Sequence, residues 1–312
     1  LETLLAAGST PTALLTGSSR SASRRRTLEA LATGELPIVV GTHALIEPAV
    51  EFARLRVAVV DEQHRFGVGQ RRRLDAKGEP GLAPHVLHMT ATPIPRTLSL
   101  TAYGDLDTTT LRELPAGRRP IKTWHVGEEK RAGAYGFIRE RLREGRQAYV
   151  VCPLVSSSEK AQAKAATAEA ERLAAGELRD FDVEVLHGQM PPAAKSAAMG
   201  RFASGEADVL VATSVIEVGI DVPNATVMLI EDADRYGLSQ LHQLRGRIGR
   251  GEHESHCILF AEAGSERAAE RLRAIAASRD GFELAEVDLR LRGEGEVLGT
   301  RQSGLPRFNV AR

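Results

Sequence analysis

The chain has 312 residues, of which 42% are hydrophobic and 26% charged, and its formal net charge at pH 7 is zero. This length suffices for two domains of ordinary size, the composition indicates a soluble globular protein, and no apolar run approaches the roughly 20 residues that cross a bilayer. Zero net charge gives no global signature of nucleic-acid binding. Arginine runs at 24–26, 71–73 and 245–250 indicate either solvated helix faces or local basic stripes that bind nucleic acid.

Short apolar runs alternate with helical stretches through the first half of the chain. Strands are predicted at 12–17, 37–42, 57–62 and 86–92, and a helix is predicted over 20–34, with Gly34 as its stop signal. The strand runs are apolar throughout instead of alternating with polar residues. Continuous apolar strands joined by helices predict a parallel sheet that is buried on both faces.

The same rhythm begins again after a stretch at 113–123 that holds two prolines and a glycine, which we interpret as a linker. A surface helix is predicted at 156–177, and five strands at 147–155, 182–188, 207–214, 226–232 and 255–262. Cys152 and Cys257 lie in two of these strands, which indicates buried thiols in a reducing compartment. Two parallel α/β domains joined by a short linker predict a ligand cleft between them.

The pattern changes from about Gly264 onwards. A helix rich in arginine and glutamate is predicted at 265–278, and the following charged, glycine-rich residues 281–304 have little strand character. We interpret this region as a small helical hairpin followed by a loop. The predicted domains are therefore 1–116, with a truncated first sheet, then 117–262, and a C-terminal region 263–312.

Asp61 and Glu62 give the strongest local signal for chemistry. Both carboxylates follow the apolar run 57–60, at the strand end where parallel-sheet sites are built. Nucleotide hydrolysis needs one carboxylate that holds Mg²⁺ through water and a second group that orients the attacking water. Asp61 suits the first role and Glu62 the second. The alternative is an ordinary polar strand end that caps a helix.

The segment 89–96 also follows a predicted strand and carries two hydroxyls, Thr90 and Thr92. These hydroxyls are placed to bond the carboxylates or His64, and so to couple nucleotide state to movement. Thr92 followed by Pro93 is also typical of a helix N-cap. The two interpretations are compatible.

In the second half, Arg247 and Arg250 stand three residues apart in the segment 240–251, which predicts that they share one helical face. Forked guanidinium groups suit phosphate oxygens. The alternative is a basic surface helix, but the glycines before both arginines disfavour it, because an exposed helix gains nothing from glycine.

These segments, together with 212–221, resemble motifs II, III, V and VI of superfamily 2 helicases, and Thr42 with His43 resembles the end of motif Ib. The stretches 61–74, 89–123, 145–159 and 216–251 resemble the RecG family of bacterial DNA helicases throughout. The tail 280–304 is similar to the translocation motif that this family shares with the transcription-repair coupling factor. The resemblance covers nearly the whole chain, and its motifs are long.

The resemblance implies a fold of two RecA-like parallel-sheet domains followed by a translocation motif, with ATP and Mg²⁺ as cofactors and Asp61 as the Mg²⁺ site through water. The implied catalytic residues are Asp61, Glu62, Gln63, His64, Arg247 and Arg250. The implied nucleotide-binding residues are Asp61, Glu217, Gly219, Asp221, Gln243, Arg247 and Arg250. The residues implied to couple nucleotide to DNA are Thr42, His43, Thr90, Thr92, Thr213, Arg292, Thr300, Arg301 and Gln302.

By the same resemblance, the intact protein is an ATP-dependent translocase that remodels branched or duplex DNA in recombination and repair, including fork reversal and Holliday junction migration. It implies a cytoplasmic monomer, with single-stranded-DNA-binding protein as a partner. Two alternatives remain open: the motor of a transcription-repair coupling factor, and a non-catalytic DNA-binding relative.

One element that the family requires is absent from the sequence: no G-x-x-x-x-G-K-[ST] phosphate loop occurs in it. The family's DNA wedge domain does not precede the motor segments either. We therefore expect a fragment that is inactive alone and whose first domain is poorly stable. Loss of a central strand leaves the neighbouring strands with unpaired edges.

Overall fold

The computed structural model describes residues 10–17, 19, 21–63, 66–79, 81–91, 107–111, 113, 119–153, 159–213, 221–262 and 264–292. They fall into two compact units, the first reaching Ala91 and the second lying between residues 107 and 292. Within these ranges no helix is both long and apolar enough to span a bilayer. The domain boundaries expected from the sequence, at 116/117 and 262/263, remain predictions.

The first unit contains the four strands and the helix that the sequence predicts. Its elements are β1 (Thr12–Leu15), α1 (Ser21–Thr33), β2 (Ile38–Gly41), β3 (Val57–Val60), α2 (Val68–Asp75) and β4 (His85–His88), with a 3₁₀ turn at His43–Ile46. Helix α1 is followed by Gly34 in the left-handed conformation, as expected for a helix stop. A small core of Leu15, Leu31 and Val50 joins β1 to α1 and to the loop after β2.

The expectation of one sheet buried on both faces is wrong for the described part of this unit. Its strands form two separate parallel ribbons, β1–β2 and β3–β4. On β3–β4, Val57, Val59 and Leu87 are each more than half exposed, and Val59 pairs directly with Leu87. An apolar parallel sheet is normally covered on both faces. Among the described residues no layer packs against this face of β3–β4, so its apolar side chains are exposed.

The second unit is built on a six-stranded parallel sheet in the order β5–β10–β9–β6–β8–β7. Its strands are β5 (Lys122–Val126), β6 (Gln147–Val151), β7 (Val183–Leu186), β8 (Val209–Ala212), β9 (Ala225–Ile230) and β10 (His256–Phe260). Every residue of β6, β8, β9 and β10 is buried. Here the continuous apolar runs do mark strands covered on both faces, as the sequence predicts.

Helices cover both faces of this sheet. They are α3 (Arg131–Arg143), α4 (Glu159–Ala175), α5 (Pro192–Ser204), α6 (Leu238–Arg245), α7 (Glu266–Ala277) and α8 (Gly281–Arg292). Helices α3 and α4 pack on one core, while α5, α6 and α7 pack on the other. The fold is therefore α/β with crossover helices on the two sides, as the alternation of strands and helices indicates.

One detail of the second unit differs from the sequence prediction. The stretch 113–123, interpreted as a linker, ends inside strand β5, which pairs with β10 through Lys122 and Thr123. The difference arises because the pairing partner lies far away in the chain and leaves no local signal. Helix α4 is a surface helix as predicted, with exposed residues on one side and Ala166 and Leu173 fully buried on the other.

Two other predictions for this unit are confirmed. Cys152 and Cys257 are free and buried, and burial raises the pKa of each thiol to about 12, so both thiols stay protonated at neutral pH. Helices α7 and α8 pack together as the predicted C-terminal hairpin. Thr300, Arg301 and Gln302, assigned to the translocation tail, lie outside the described residues.

Candidate functional site

Asp61 and Glu62 lie directly after β3, at the carboxyl end of the β3–β4 ribbon, as predicted. Glu62 adopts a left-handed backbone conformation with φ of 52°, one of two non-glycine residues with positive φ among those described. The Asp61 side chain holds this turn, because its Oδ1 accepts the Glu62 backbone N–H at 2.8 Å. Backbone strain of this kind costs about 1–3 kcal/mol and is typical of functional sites.

The turn is hydrogen-bonded to the end of β4, so two separate sequence segments, 61–63 and 89–90, meet here. The backbone N–H of Gln63 donates to the Met89 carbonyl at 3.0 Å, and the Met89 N–H donates to the Val60 carbonyl at 2.8 Å. Gln63 is buried, whereas Thr90 is exposed one residue further along. The predicted proximity of Thr90 to the carboxylate segment is thus supported. His64 and Thr92 lie outside the described residues.

Thr42 and His43 follow β2, at the strand end where the sequence places them. Thr42 donates its N–H to the Leu15 carbonyl at 3.3 Å and precedes the short 3₁₀ turn that begins at His43. Both residues are exposed. They are therefore available to a ligand, in keeping with the DNA-backbone contact that the resemblance implies for them.

The prediction that Arg247 and Arg250 share a helical face is wrong. Helix α6 ends at Arg245, Gly246 is its C-cap, and both arginines lie in the following loop. Gly249 has φ of 72°, and a Cβ atom added there would lie 2.8 Å from Cγ1 of Ile121. The glycines therefore end the helix and let the loop pass close to the start of β5, which explains their presence better than spacing on a helix does.

One of the two arginines pairs with Asp221. Arg250 Nη1 lies 3.7 Å from Oδ1 of Asp221. Burial raises the pKa of Tyr149 to about 12, the positive charges of Arg247 and Arg250 oppose that rise, and the charge of Asp221 adds to it. All three charged groups therefore act electrostatically on the buried Tyr149 of β6. Sequence reasoning missed Tyr149, which carries no local signal inside an apolar strand.

Arg245 has a structural role that the sequence did not reveal. Its side chain is 4% exposed, and its guanidinium donates to the carbonyl oxygens of Ile275 at 2.6 Å and Ser278 at 2.9 Å. It also donates to Nδ1 of His242 at 3.0 Å, which requires that nitrogen to be unprotonated. Arg245 thus joins α6 to the end of α7 and is not available to a phosphate group.

A second acidic pair, Glu231 and Asp232, follows β9 much as Asp61 and Glu62 follow β3. Asp232 also has positive φ, at 46°. Here, however, Arg131 binds the Glu231 carboxylate through two hydrogen bonds of 2.7 and 2.9 Å and lies 4.2 Å over the Phe260 ring. Because its charge is neutralised by Arg131, Glu231 is a poor candidate for water activation, and Asp61–Glu62 remains the better one.

The other predicted residues are distributed as follows. Thr213 is buried just after β8 and donates its N–H to the Leu186 carbonyl at 3.3 Å, while Gln243 is half-buried on α6. Arg292 is the last residue of α8. Glu217 and Gly219 lie outside the described residues, which include no group of three or more acidic, histidine or cysteine side chains that would hold a metal by themselves.

Comparison with known proteins identifies the same kind of protein as the motifs do. The helicase conserved C-terminal domain matches residues 133–252. An ATP-dependent DNA helicase RecG from Synechocystis is 53% identical over 301 residues, which make up 96% of this chain and 36% of that protein. The RecG helicase of Bacillus subtilis is 48% identical over 96% of this chain and 43% of its own length.

A solved structure of RecG bound to a three-way DNA junction covers 95% of this chain with a TM-score of 0.73 and 39% sequence identity. That match takes up 38% of the RecG chain. The chain thus spans well under half the length of the relatives described here. The similarity extends through both units and confirms the α/β fold class and the resemblance drawn from the motifs.

Proposed function

We propose that the chain is the motor portion of a DNA helicase, on the premise that it is related over 96% of its length to ATP-dependent DNA helicases named RecG. The proposed activity is ATP-driven translocation on branched or duplex DNA in recombination and repair. The observation that carries the proposal is the Asp61–Glu62 turn, held in a strained conformation at the end of β3.

The described residues fit a magnesium–nucleotide ligand. Exposed carboxylate oxygen, as on Asp61, is the donor that Mg²⁺ prefers, and it binds through water when few protein ligands are present. The guanidinium groups of Arg247 and Arg250 suit phosphate oxygens. When bound, the magnesium–nucleotide complex supplies the phosphoryl group that is transferred to water.

On this proposal, the residues of the chain have separate tasks. Asp61 would hold the metal through water, and its hydrogen bond fixes the Glu62 backbone. Glu62 would orient the attacking water and accept its proton. Arg250, which contacts Asp221, and Arg247 would supply positive charge to phosphate oxygens.

The proposal is tested with the full-length protein that carries this sequence. We expect DNA-stimulated ATP hydrolysis, and we expect Glu62→Gln to lower kcat by at least about a hundredfold while ATP binding is retained. Asp232→Asn is the matched control, because it alters the corresponding positive-φ acidic residue after β9, and it should leave turnover within about twofold. Turnover that survives Glu62→Gln would contradict the water-activating role.

We further propose that the 312-residue chain by itself binds ATP very weakly and does not hydrolyse it. The reason is that its sequence has no phosphate loop to hold the β- and γ-phosphates. Release of phosphate from the purified chain on addition of DNA would contradict this. Contact with single-stranded-DNA-binding protein, a monomeric state and a cytoplasmic location remain predictions from the resemblance.

A further inference from the structure

An aromatic pair in the first unit joins the end of β2 to the loop that follows the catalytic carboxylates. The rings of His43 and Phe66 are stacked, with centroids 4.5 Å apart and an interplanar angle of 23°. His43 belongs to the segment for which the resemblance implies a DNA contact. Phe66 lies four residues after Glu62, and neither motif reasoning nor the proposed function gives it a role.

The pair is not part of the hydrophobic core of the unit. That core consists of Leu15, Leu31 and Val50 with several partly buried neighbours, including Phe52 but not Phe66. His43 is exposed and Phe66 is only half-buried. Phe66 therefore contributes little to this core, and the ring contact that the structure gives it is the stack on His43.

Phe66 is also connected to the carboxylate turn through the backbone. Its N–H donates to the Gln63 carbonyl at 3.0 Å, and the Gln63 N–H in turn donates to the Met89 carbonyl at 3.0 Å. Gln63 is the residue next to the strained Glu62. A displacement of the Phe66 ring therefore reaches Glu62 through one hydrogen bond and one peptide unit, without passing through the core.

We propose that Phe66 is a positioning residue that couples His43 to the Glu62 turn, so that contact of His43 with the DNA backbone sets the orientation of the Glu62 carboxylate. The inference rests on the proposed function and adds to it a route by which DNA stimulates ATP hydrolysis. An exposed ring stack suits this task, because it fixes two loops relative to each other and still shifts when one of them binds a ligand.

The test measures the kcat of ATP hydrolysis by the full-length protein with and without branched DNA. We expect Phe66→Ala to lower the ratio of DNA-stimulated to basal kcat by about threefold to tenfold, which is the range that the loss of one aromatic pair supports. Phe66→Tyr retains the ring and should retain the ratio. Phe66→Leu retains the volume without the ring and should behave like the alanine variant, which also covers the case that Phe66→Ala folds poorly.

Phe52→Leu is the matched control, because Phe52 packs on the first-unit core and makes no contact in the described stack. This variant should lower thermal stability and leave the stimulation ratio unchanged. A double-mutant cycle then isolates the pair: His43→Ala should lower the ratio, and adding Phe66→Ala should lower it no further. His43→Phe, which preserves the stack, should keep more stimulation than His43→Ala.

The outcomes separate this inference from the proposed function. If DNA does not stimulate the unmodified full-length protein, the proposed function fails and this inference fails with it. If DNA stimulates the unmodified protein and the ratio survives in Phe66→Ala and Phe66→Leu, this inference alone is wrong. Fully additive effects of His43→Ala and Phe66→Ala on the ratio would likewise overturn it.

Discussion

Arg245 and Arg250 lie five residues apart in one basic segment, yet the structure gives them different surroundings. Arg245 is buried, and burial lowers the pKa of its guanidinium. Arg250 is exposed and contacts Asp221 at 3.7 Å. Residue type alone does not distinguish the two, although the phosphate-binding role predicted from the sequence belongs to Arg247 and Arg250. The two differ because α7 brings carbonyl oxygens to the guanidinium of Arg245, which gives it a structural role, whereas Arg250 stays available to a ligand.

Arg245→Met should destabilise the second unit by about 2–4 kcal/mol, since it leaves the carbonyl oxygens of Ile275 and Ser278 buried without their donor. Arg250→Met, an exposed change in the same segment, should cost less than about 0.5 kcal/mol. Urea unfolding followed by the fluorescence of Trp124 measures both. Equal losses of stability would contradict the distinction between the two arginines.

His256 makes the stability of the second unit depend on pH. Its ring is buried and stacked on Trp124 at 5.2 Å. Burial lowers the pKa of His256, the charges of Lys122 and Arg141 lower it further, and Glu254 opposes them. The folded state therefore binds fewer protons than the unfolded state below the ordinary histidine pKa of about 6.5.

The stability that this histidine contributes is consequently complete above about pH 6.5 and is lost as the pH falls towards its lowered folded pKa. Comparison of unfolding midpoints at pH 7.5 and pH 5.0 measures the loss. His256→Phe keeps a ring against Trp124 and cannot be protonated, so its midpoint should fall less between these two pH values. A variant as pH-sensitive as the unmodified chain would contradict the assignment.

At the scale of elements, helix ends and strand partners depart most from the sequence prediction. Helix α6 ends at Arg245 although the arginine spacing continues the helical pattern, and the loop that follows carries Gly249, which adopts positive φ close to Ile121. Strand β5 forms from residues that resemble a linker, because β10 offers it a parallel partner more than 130 residues away. Both outcomes depend on contacts that are distant in the chain.

Two glycine substitutions test this account of the elements. Gly249→Ala should destabilise the second unit by about 1–3 kcal/mol, because alanine disfavours positive φ and its Cβ would meet Ile121. Gly133→Ala, within α3 and with open space for a Cβ, should stabilise it by about 0.5–1 kcal/mol through helix propensity. Thermal unfolding compares the two, and changes of the same sign would refute the explanation for Gly249.

At the scale of the whole molecule, the two units differ in how completely their sheets are built. The second unit has six paired strands with a core on either face. Among its described residues, the first has two separate ribbons, one small core and an exposed apolar face on β3–β4. Since apolar burial drives folding, the two units should differ in stability by a margin that a protease can detect.

Limited proteolysis of the purified chain should therefore remove residues before 107 first and leave a resistant product that contains residues 119–262. Mass spectrometry of the products over time identifies the cut sites. Equal resistance of both units in the chain alone would contradict this prediction.

The sequence by itself determined the fold class, most strands, the carboxylate pair Asp61–Glu62 and the resemblance to RecG helicases. These features are local, because strand periodicity and motif order are written in contiguous residues. Only the tertiary structure decided that Glu62 is strained, that Arg245 is a buried anchor while Arg250 meets Asp221, that Glu231 is neutralised by Arg131, and that Phe66 stacks on His43. Each of these depends on a partner from a distant element, and a single sequence does not reveal which distant residues a fold brings together.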